Sequence, residues 1–254
     1  MTRLMKTFRR LVLTTAVAAL VGGCAPTSEL LRDDPDPFER YNRAMFALNE
    51  AADKAVIKPV ARAYQAVLPG PVNTGISNFF SNLNDVVVLV NSLLQFKFHD
   101  AAANSSRIVF NTTFGILGLI DVASHMELPK QHKDFGQTLG IWGFSEGYFI
   151  VLPILGPSTV RDTFGLVGNF YVNPITWATD SSTVQWSLWG LDMIDRRADL
   201  LRIERAFADA QIDPYSFQRS AYLQRRRSLV YDGSPPQPEF DFDFDDTDVD
   251  SPPQ

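Results

Sequence analysis

Cysteine is almost missing from this chain. Cys24 is the only one in 254 residues, so no internal disulfide can form. Histidine is nearly as scarce, with only His99, His125 and His132. No stretch of about 20 residues runs without a charge, a proline or a polar cluster, which leaves no candidate for a bilayer-spanning helix. Charge is thin where the chain is longest: residues 71–160 hold four Lys or Arg and six Asp or Glu, about half the density of the whole. Basic residues are absent from 232–254, and no basic face offers itself to nucleic acid.

What is present at the amino terminus sets the compartment. "MTRLMKTFRR" carries four positive charges and no negative one, and "LVLTTAVAALVGG" follows as 13 uncharged residues. Residues 1–23 therefore read as a signal peptide. Gly22 and Gly23 precede Cys24, an arrangement that resembles the lipobox of bacterial lipoproteins, although Val21 stands where Leu is commoner. Cys24 is the expected lipid attachment residue, and several acyl chains on one residue give stable membrane anchoring. Ala25, rather than Asp, follows it, which resembles the signal for the outer membrane. Residues 24–35 are expected to be a linker.

The other end is acidic. Residues 232–254 contain eight acidic residues, five prolines and nothing basic, too little apolar surface to order a segment. Removing the signal peptide and the tail leaves 19 basic against 21 acidic residues at 24–231, and the body at 36–231, nearly neutral, is large enough for one domain.

Within that body the helical period dominates. "DPFERYNRAMFALNEAADKAV" offers Asp36 as N-cap and Pro37 at the first helical position, with Phe38, Tyr41, Met45, Leu48 and Ala52 on one face. A second helix is predicted from Pro71, with Val72, Ile76, Phe79, Leu83, Val86, Val90 and Leu93 three and four apart. Its polar face is built of Asn73, Thr74, Ser77, Asn78, Ser81, Asn82 and Asn84, with Asp85 the sole charge in 71–96. A helix facing water usually carries Lys and Glu there. Two readings stay open: burial on most sides, or an uncharged face laid against lipid. Further helices are predicted around "LWGLDMIDRRADLLRIERAFADA" and from Asp213–Pro214 to "QRRRSLV", and "GYFIVLP" is the one strand signal.

Two motifs suggest chemistry and fail on inspection. "GFSEG" at 143–147 matches the nucleophile elbow of serine hydrolases, which would make the chain a lipoprotein phospholipase using Ser145. The elbow requires a helix after the serine and a histidine downstream, and all three histidines lie upstream. His125, Glu127 and His132 lack the i, i+4 spacing of helical zinc ligands. The sequence predicts no catalytic residue, no metal site and no cofactor.

The phrases "DPFERYNRAMFALNE", "SNFFSNL", "VNSLLQ", "NTTFGILGLIDVAS", "DFGQTLGIWG", "VLPILGPSTVRD" and "DPYSFQRSAYLQRRR" together resemble the MlaA (VacJ) lipoprotein family of bacteria with two membranes. The resemblance implies an all-α, ring-like arrangement of amphipathic helices in a membrane leaflet, with little β structure. It further implies a trimeric porin as partner, and an amphipathic channel passing misplaced outer-leaflet phospholipid to a periplasmic lipid carrier. Ile76, Phe79, Phe80, Leu83, Trp142, Phe144, Tyr148 and Phe149 are the channel candidates, Ala47 and Leu48 the gate candidates. Arg225, Arg226 and Arg227 are candidates for partner docking or for complementing their own helix end. The chain has Asp85–Val86 where family members often have an acidic residue and Pro, so the second helix is expected to run on unbroken. At "GFSEG" the family has a Gly-rich turn, which makes Ser145 a turn residue. A structural lipoprotein that only braces a porin is the remaining alternative.

Overall fold

A computed structural model describes residues 36–208 and 213–236. The signal peptide, Cys24, the 24–35 linker and the acidic tail from residue 237 lie outside the described residues. The architecture is mainly α, with one two-stranded sheet. Helices α1 (Glu39–Ala52) and α2 (Lys58–Val67) form one continuous rod joined by a π turn at Asp53–Ile57. Pro59 explains the turn. It has no N–H for the Ala55 carbonyl, so the ladder shifts and Lys58 N–H reaches back five residues to Asp53 O.

Helix α3 (Gly70–Leu94) passes through Asp85 and Val86 without a break, and α4 (Phe98–Thr113) folds back along it. Short helices α5 (Val122–His125) and α6 (Phe135–Ile141) follow, then the antiparallel hairpin β1 (Phe149–Leu152) and β2 (Gly156–Thr159). Helices α7 (Val160–Val172), α8 (Pro174–Trp177), α9 (Ser182–Ala208) and α10 (Pro214–Val230) complete the chain. α3 is the central rod, packing against α4, α6, α7, α8 and α9.

Several helices begin with a side-chain cap. Asp134, Thr159 and Asp213 accept from backbone N–H groups at the starts of α6, α7 and α10. Asp36 does not cap α1, which begins at Glu39 with no side-chain cap. Its buried carboxylate instead accepts hydrogen bonds from Asn42 Nδ2 and the Tyr215 hydroxyl, tying the start of α1 to α10. Where α6 crosses α7, Gly165 lies so close to Gly136 that a Cβ would fall 2.4 Å from the Gly136 nitrogen.

The free edge of β1 is satisfied by a helix. Asn42 Nδ2 donates to Phe149 O at 3.1 Å while Asn42 Oδ1 accepts from Val151 N at 2.8 Å. One step along, Asn49 Nδ2 donates to Leu152 O at 2.9 Å and Asn49 Oδ1 accepts from Ile154 N at 2.7 Å. Seven helical residues rise about 10.5 Å and three extended residues advance about 10 Å, so the two amides stand in register with the strand. α1 thereby does the work of a third strand.

Asn42→Ala leaves a buried N–H and a buried carbonyl without partners, each worth about 1–3 kcal/mol. The expected loss is about 2–4 kcal/mol, read as a lowered denaturant midpoint at unchanged slope, whereas Asn49→Ala, at a more exposed site, costs less than half of that.

Candidate functional site

The interior is rich in polar groups, and many large apolar side chains are exposed. Among the described residues, 21 polar or charged residues are buried against 11 hydrophobic ones, and the two largest fully buried side chains are Arg107 and Gln137. Soluble domains bury Leu, Ile, Val and Phe first. Here the buried apolar cluster is small, Phe149, Val151 and Tyr215 with Met45, Phe46, Tyr222 and Leu223 against it. Meanwhile Phe164, Tyr171, Trp177 and Trp186 are mostly exposed. Scattered exposed apolar residues need no explanation, but neighbouring ones in this number mark contact with lipid or protein.

The loop after α4 concentrates the effect. Phe114, Ile116, Leu117, Leu119 and Ile120 are all exposed within seven residues. The loop is held tightly: Leu117 N donates to Thr112 O at 3.0 Å, Gly118 N to Asn111 O at 2.9 Å and Ile120 N to Gly115 O at 2.9 Å. A Cβ on Gly115 would lie 2.1 Å from Ile120 O, so only glycine fits. Ile116 and Leu117 take φ values of 53° and 57°, a conformation unfavourable to β-branched or bulky residues. Strain is thus spent on pointing two large aliphatic side chains outward. The β1–β2 turn repeats the pattern, with Ile154 at φ 65° and both Ile154 and Leu155 exposed.

Inside, much of the charge is paired in sets. Arg107, on α4, meets Asp85 of α3 at 3.4 Å and both carboxylate oxygens of Asp121 at 3.1 Å. Lys130 Nζ donates to Asp85 at 2.6 Å and to Ser81 O at 2.7 Å. Two cations thus face two anions. Burial lowers the Lys130 ammonium from its ordinary value, with Asp85 opposing that shift. For Asp121 burial works against ionisation, but hydrogen bonds from Ser124, Asn111 and Arg107 prevail and bring it down to about 2.

A second set joins α6, α7 and α10. Arg226 donates to Asp134 at 3.0 Å and to Asp162 at 2.8 Å, and the Tyr222 hydroxyl donates to Asp162 at 2.9 Å. Burial opposes the Arg226 charge, yet the two carboxylates raise its pKa above the ordinary value. Burial and Asp162 push the Tyr222 hydroxyl up as well. Between the two sets, an amide chain crosses the centre: Gln95 donates to Thr138 at 2.9 Å, Thr138 to Asn91 at 2.8 Å, and Asn91 touches Asn169 at 3.5 Å. The amide and hydroxyl residues Asn73, Asn82, Asn91 and Ser92 of α3 are therefore its inward side.

Residues 34–229 match the family described as MlaA lipoprotein. The chain belongs to the MlaA lipoprotein family. It is 34% identical over 219 residues to the intermembrane phospholipid transport system lipoprotein MlaA of Escherichia coli (strain K12), covering 84% of this chain and 86% of that one. Identity to the protein of the same name from Haemophilus influenzae is 32% over 239 residues, covering 90% and 93%. A solved structure described as "Structural basis for maintenance of bacterial outer membrane lipid asymmetry" superposes with a TM-score of 0.68 at 33% identity, covering 77% of this chain and 98% of that one.

On this MlaA fold the predicted residues separate. Ile76, Phe79 and Leu83 are half-buried on α3, and Trp142, Phe144 and Tyr148 are exposed. Phe80 is buried against Phe79, and Phe149 sits in the small apolar cluster beside Tyr215 and Tyr222, so packing closes both off from the outer surface. Ala47 and Leu48 are exposed, but α1 is not the loosely attached element expected of a gate. It is tied to β1 by Asn42 and Asn49 and to α10 by Asp36–Tyr215 and Arg43–Asp213. Arg226 is corrected outright: its guanidinium is buried in the second ion set, while Arg225 and Arg227 are exposed. Ser145 is exposed between a helix and a strand, the reverse of an elbow. His125, Glu127 and His132 are exposed, and His125 Nδ1 lies 2.9 Å from Asp121 O of its own turn. Sequence reasoning missed the outward Ile116, Leu117, Ile154 and Leu155, because left-handed backbone on aliphatic residues has no compositional signal.

Arg226→Ala leaves Asp134 without a cation and Asp162 with Arg161 alone, and should cost about 3–5 kcal/mol, while Arg225→Ala and Arg227→Ala stay within about 0.5 kcal/mol. Thermal or denaturant melts of the three variants check this. Asp121 has a depressed folded-state pKa, so its contribution is present above pH 4 and is lost as pH falls toward 2. Asp121→Asn should flatten the stability curve in that window.

Proposed function

We propose that this chain is a lipid-anchored outer-membrane lipoprotein that takes misplaced phospholipid from the outer leaflet through an amphipathic passage. It hands the lipid to a soluble periplasmic carrier and works bound to a trimeric porin. The observation that carries the reading is the distribution of polarity, with many large apolar side chains outside and an amide-rich, charged interior. A ring of helices seated in a leaflet needs hydrocarbon-compatible walls outside and a polar lane inside. Family membership supports the same reading, since the relatives are named as phospholipid transport lipoproteins.

The physics of the task fits a protein that breaks no bond. A two-chain phospholipid of roughly 30 methylenes would lose about 24 kcal/mol if its tails crossed water. Continuous apolar contact removes that barrier, while amides and hydroxyls accompany the headgroup. No helix among the described residues is long and apolar enough to cross a membrane, so acyl chains on Cys24 and exposed aliphatics such as Ile116, Leu117, Ile154 and Leu155 would hold the body in place. The phospholipase alternative lacks support, because Ser145 has neither strand before it nor helix after it.

Deletion of the gene should raise outer-leaflet phospholipid and detergent sensitivity, with rescue by the wild-type chain and by Ser145→Ala but not by Cys24→Ser. Failure of Ser145→Ala at normal protein level would revive the enzyme. Phospholipid bearing a photo-reactive tail should crosslink to residues 72–94, and a protein that only braces a porin would capture none above background. Ile116→Asp with Leu117→Asp should weaken membrane seating at unchanged helicity. Each buried aliphatic side chain contributes about 1.5–3 kcal/mol, so the pair shifts flotation with vesicles of a soluble Cys24→Ser form by at least tenfold.

A further inference from the structure

Five carboxylates are buried among the described residues: Asp36, Asp85, Asp162, Asp192 and Asp195. Four of them meet a cation at 3.7 Å or less: Asp36 has Arg219, Asp85 has Arg107 and Lys130, Asp162 has Arg161 and Arg226, and Asp192 has Arg196. Asp195, on α9 and 2% exposed, has none among the described residues.

Its surroundings sharpen the exception. The Tyr64 hydroxyl of α2 donates to Asp195 Oδ1 at 2.8 Å, and the Ser77 hydroxyl of α3 donates to the same oxygen at 3.0 Å. Oδ2 takes no hydrogen bond among the described residues, and it is not one of the enclosed atoms left without a partner, so it opens on accessible space. Neighbouring cations are committed elsewhere, Arg197 to Asp53 and Glu204 and Lys58 to Glu204. Arg62 of α2 is exposed and stands about 200° round the helix from Tyr64. Burial raises the Asp195 carboxyl from its ordinary value; hydrogen bonds from Ser77 and Tyr64 oppose the shift, and the like charges of Asp199 and Asp192 add to it. A buried carboxylate without a counter-charge is strongly unfavourable until a cation completes it.

The position ties Asp195 to the amide lane. At about 100° per residue, Asn73, Ser77 and Asn91 fall within about 40° of one another on α3. Asn73 and Asn91 are buried on its inward side, and Asn73 Oδ1 is enclosed with no donor. Both hydroxyls direct their protons at Asp195 Oδ1, so the groups left over are acceptors: Asp195 Oδ2 and, one turn before Ser77, the Asn73 amide oxygen. Such a set suits a small cation with several N–H protons. A primary ammonium has three, whereas a trimethylammonium has none and a glycerol headgroup brings no positive charge. Among the described residues no three His, Cys, Asp or Glu side chains group as metal ligands.

We propose that Asp195 receives the ammonium of an ethanolamine phospholipid, an inference that rests on the proposed passage of phospholipid through this chain and names the headgroup it favours. The headgroup nitrogen donates to Asp195 Oδ2, and this charge-assisted bond compensates the buried carboxylate. Asp199, exposed one turn further along α9, adds attraction at longer range. The passage then prefers ethanolamine over glycerol and choline headgroups.

The test uses the full lipidated chain in phosphatidylcholine vesicles that contain no other protein. A trace phospholipid carries a diazirine on one tail and ethanolamine, glycerol or choline as headgroup. The wild-type chain should capture the ethanolamine lipid several-fold more than either of the others. Asp195→Asn keeps an oxygen for the Tyr64 and Ser77 hydroxyls but loses the charge. It should bring ethanolamine-lipid capture down to that of the choline lipid, whose own capture is unchanged, with a melting temperature no lower than wild type. Asp199→Asn, at an exposed position, should shrink the preference part-way. Equal capture of the three lipids by the wild-type chain overturns the proposal and leaves the transport reading standing, while capture of none overturns both. A preference that survives in Asp195→Asn also overturns it. Should that variant fail to fold by circular dichroism, an undiminished preference in Asp199→Asn does the same.

Discussion

Arg107 is almost wholly enclosed, and its guanidinium survives there only because Asp85, Asp121, Ser124 and the Leu128 carbonyl surround it. A buried cation without such partners would be strongly destabilising. Everything else in the molecule is arranged around that constraint. Once the surface is given over to aliphatic and aromatic side chains, the helices must be joined from inside by polar groups. Each interior set is accordingly closed, with two cations against two anions around Arg107, and Arg226 between Asp134 and Asp162. Geometry in such sets is fixed more narrowly than in an apolar core, because each donor has a direction.

The same logic explains how a helix serves as the third member of a sheet. A two-stranded hairpin is marginal alone, and its outer edge carries N–H and carbonyl groups that need partners. Asn42 and Asn49 supply both kinds at the right spacing, so β1 is finished by side chains from α1. Asp36 and Arg43 then bind α1 to the start of α10. The amino-terminal rod is thereby an integral wall of the body. Its π turn at Asp53–Ile57 is also tied down, with Arg197 bonded to Asp53 at 2.7 Å.

Backbone strain and apolar exposure coincide. The positive φ values at Ile116, Leu117 and Ile154 occur at loop tips whose side chains point away from the protein. On the proposed seating in a membrane leaflet, each of those side chains would recover its transfer free energy, offsetting a strain of about 1–3 kcal/mol per residue.

Much was readable along the chain. Asp213–Pro214 announced α10, the stripe from Val72 to Leu93 announced α3, and the replacement of Pro by Val86 announced that α3 would not break. The amide-rich face of α3 was visible too, but not its direction, since periodicity is equally consistent with a face turned toward lipid or one turned toward other helices. Position in sequence likewise could not separate Arg226 from Arg225 and Arg227. Three adjacent arginines on a helix point about 100° apart, and only the middle one meets Asp134 and Asp162. The sequence by itself determined helix identity, the neutral charge of the body and the family, because these depend on local pattern and composition. Tertiary structure alone decided which polar groups were inside, because that depends on carboxylates and amides brought from 14 to 179 residues away.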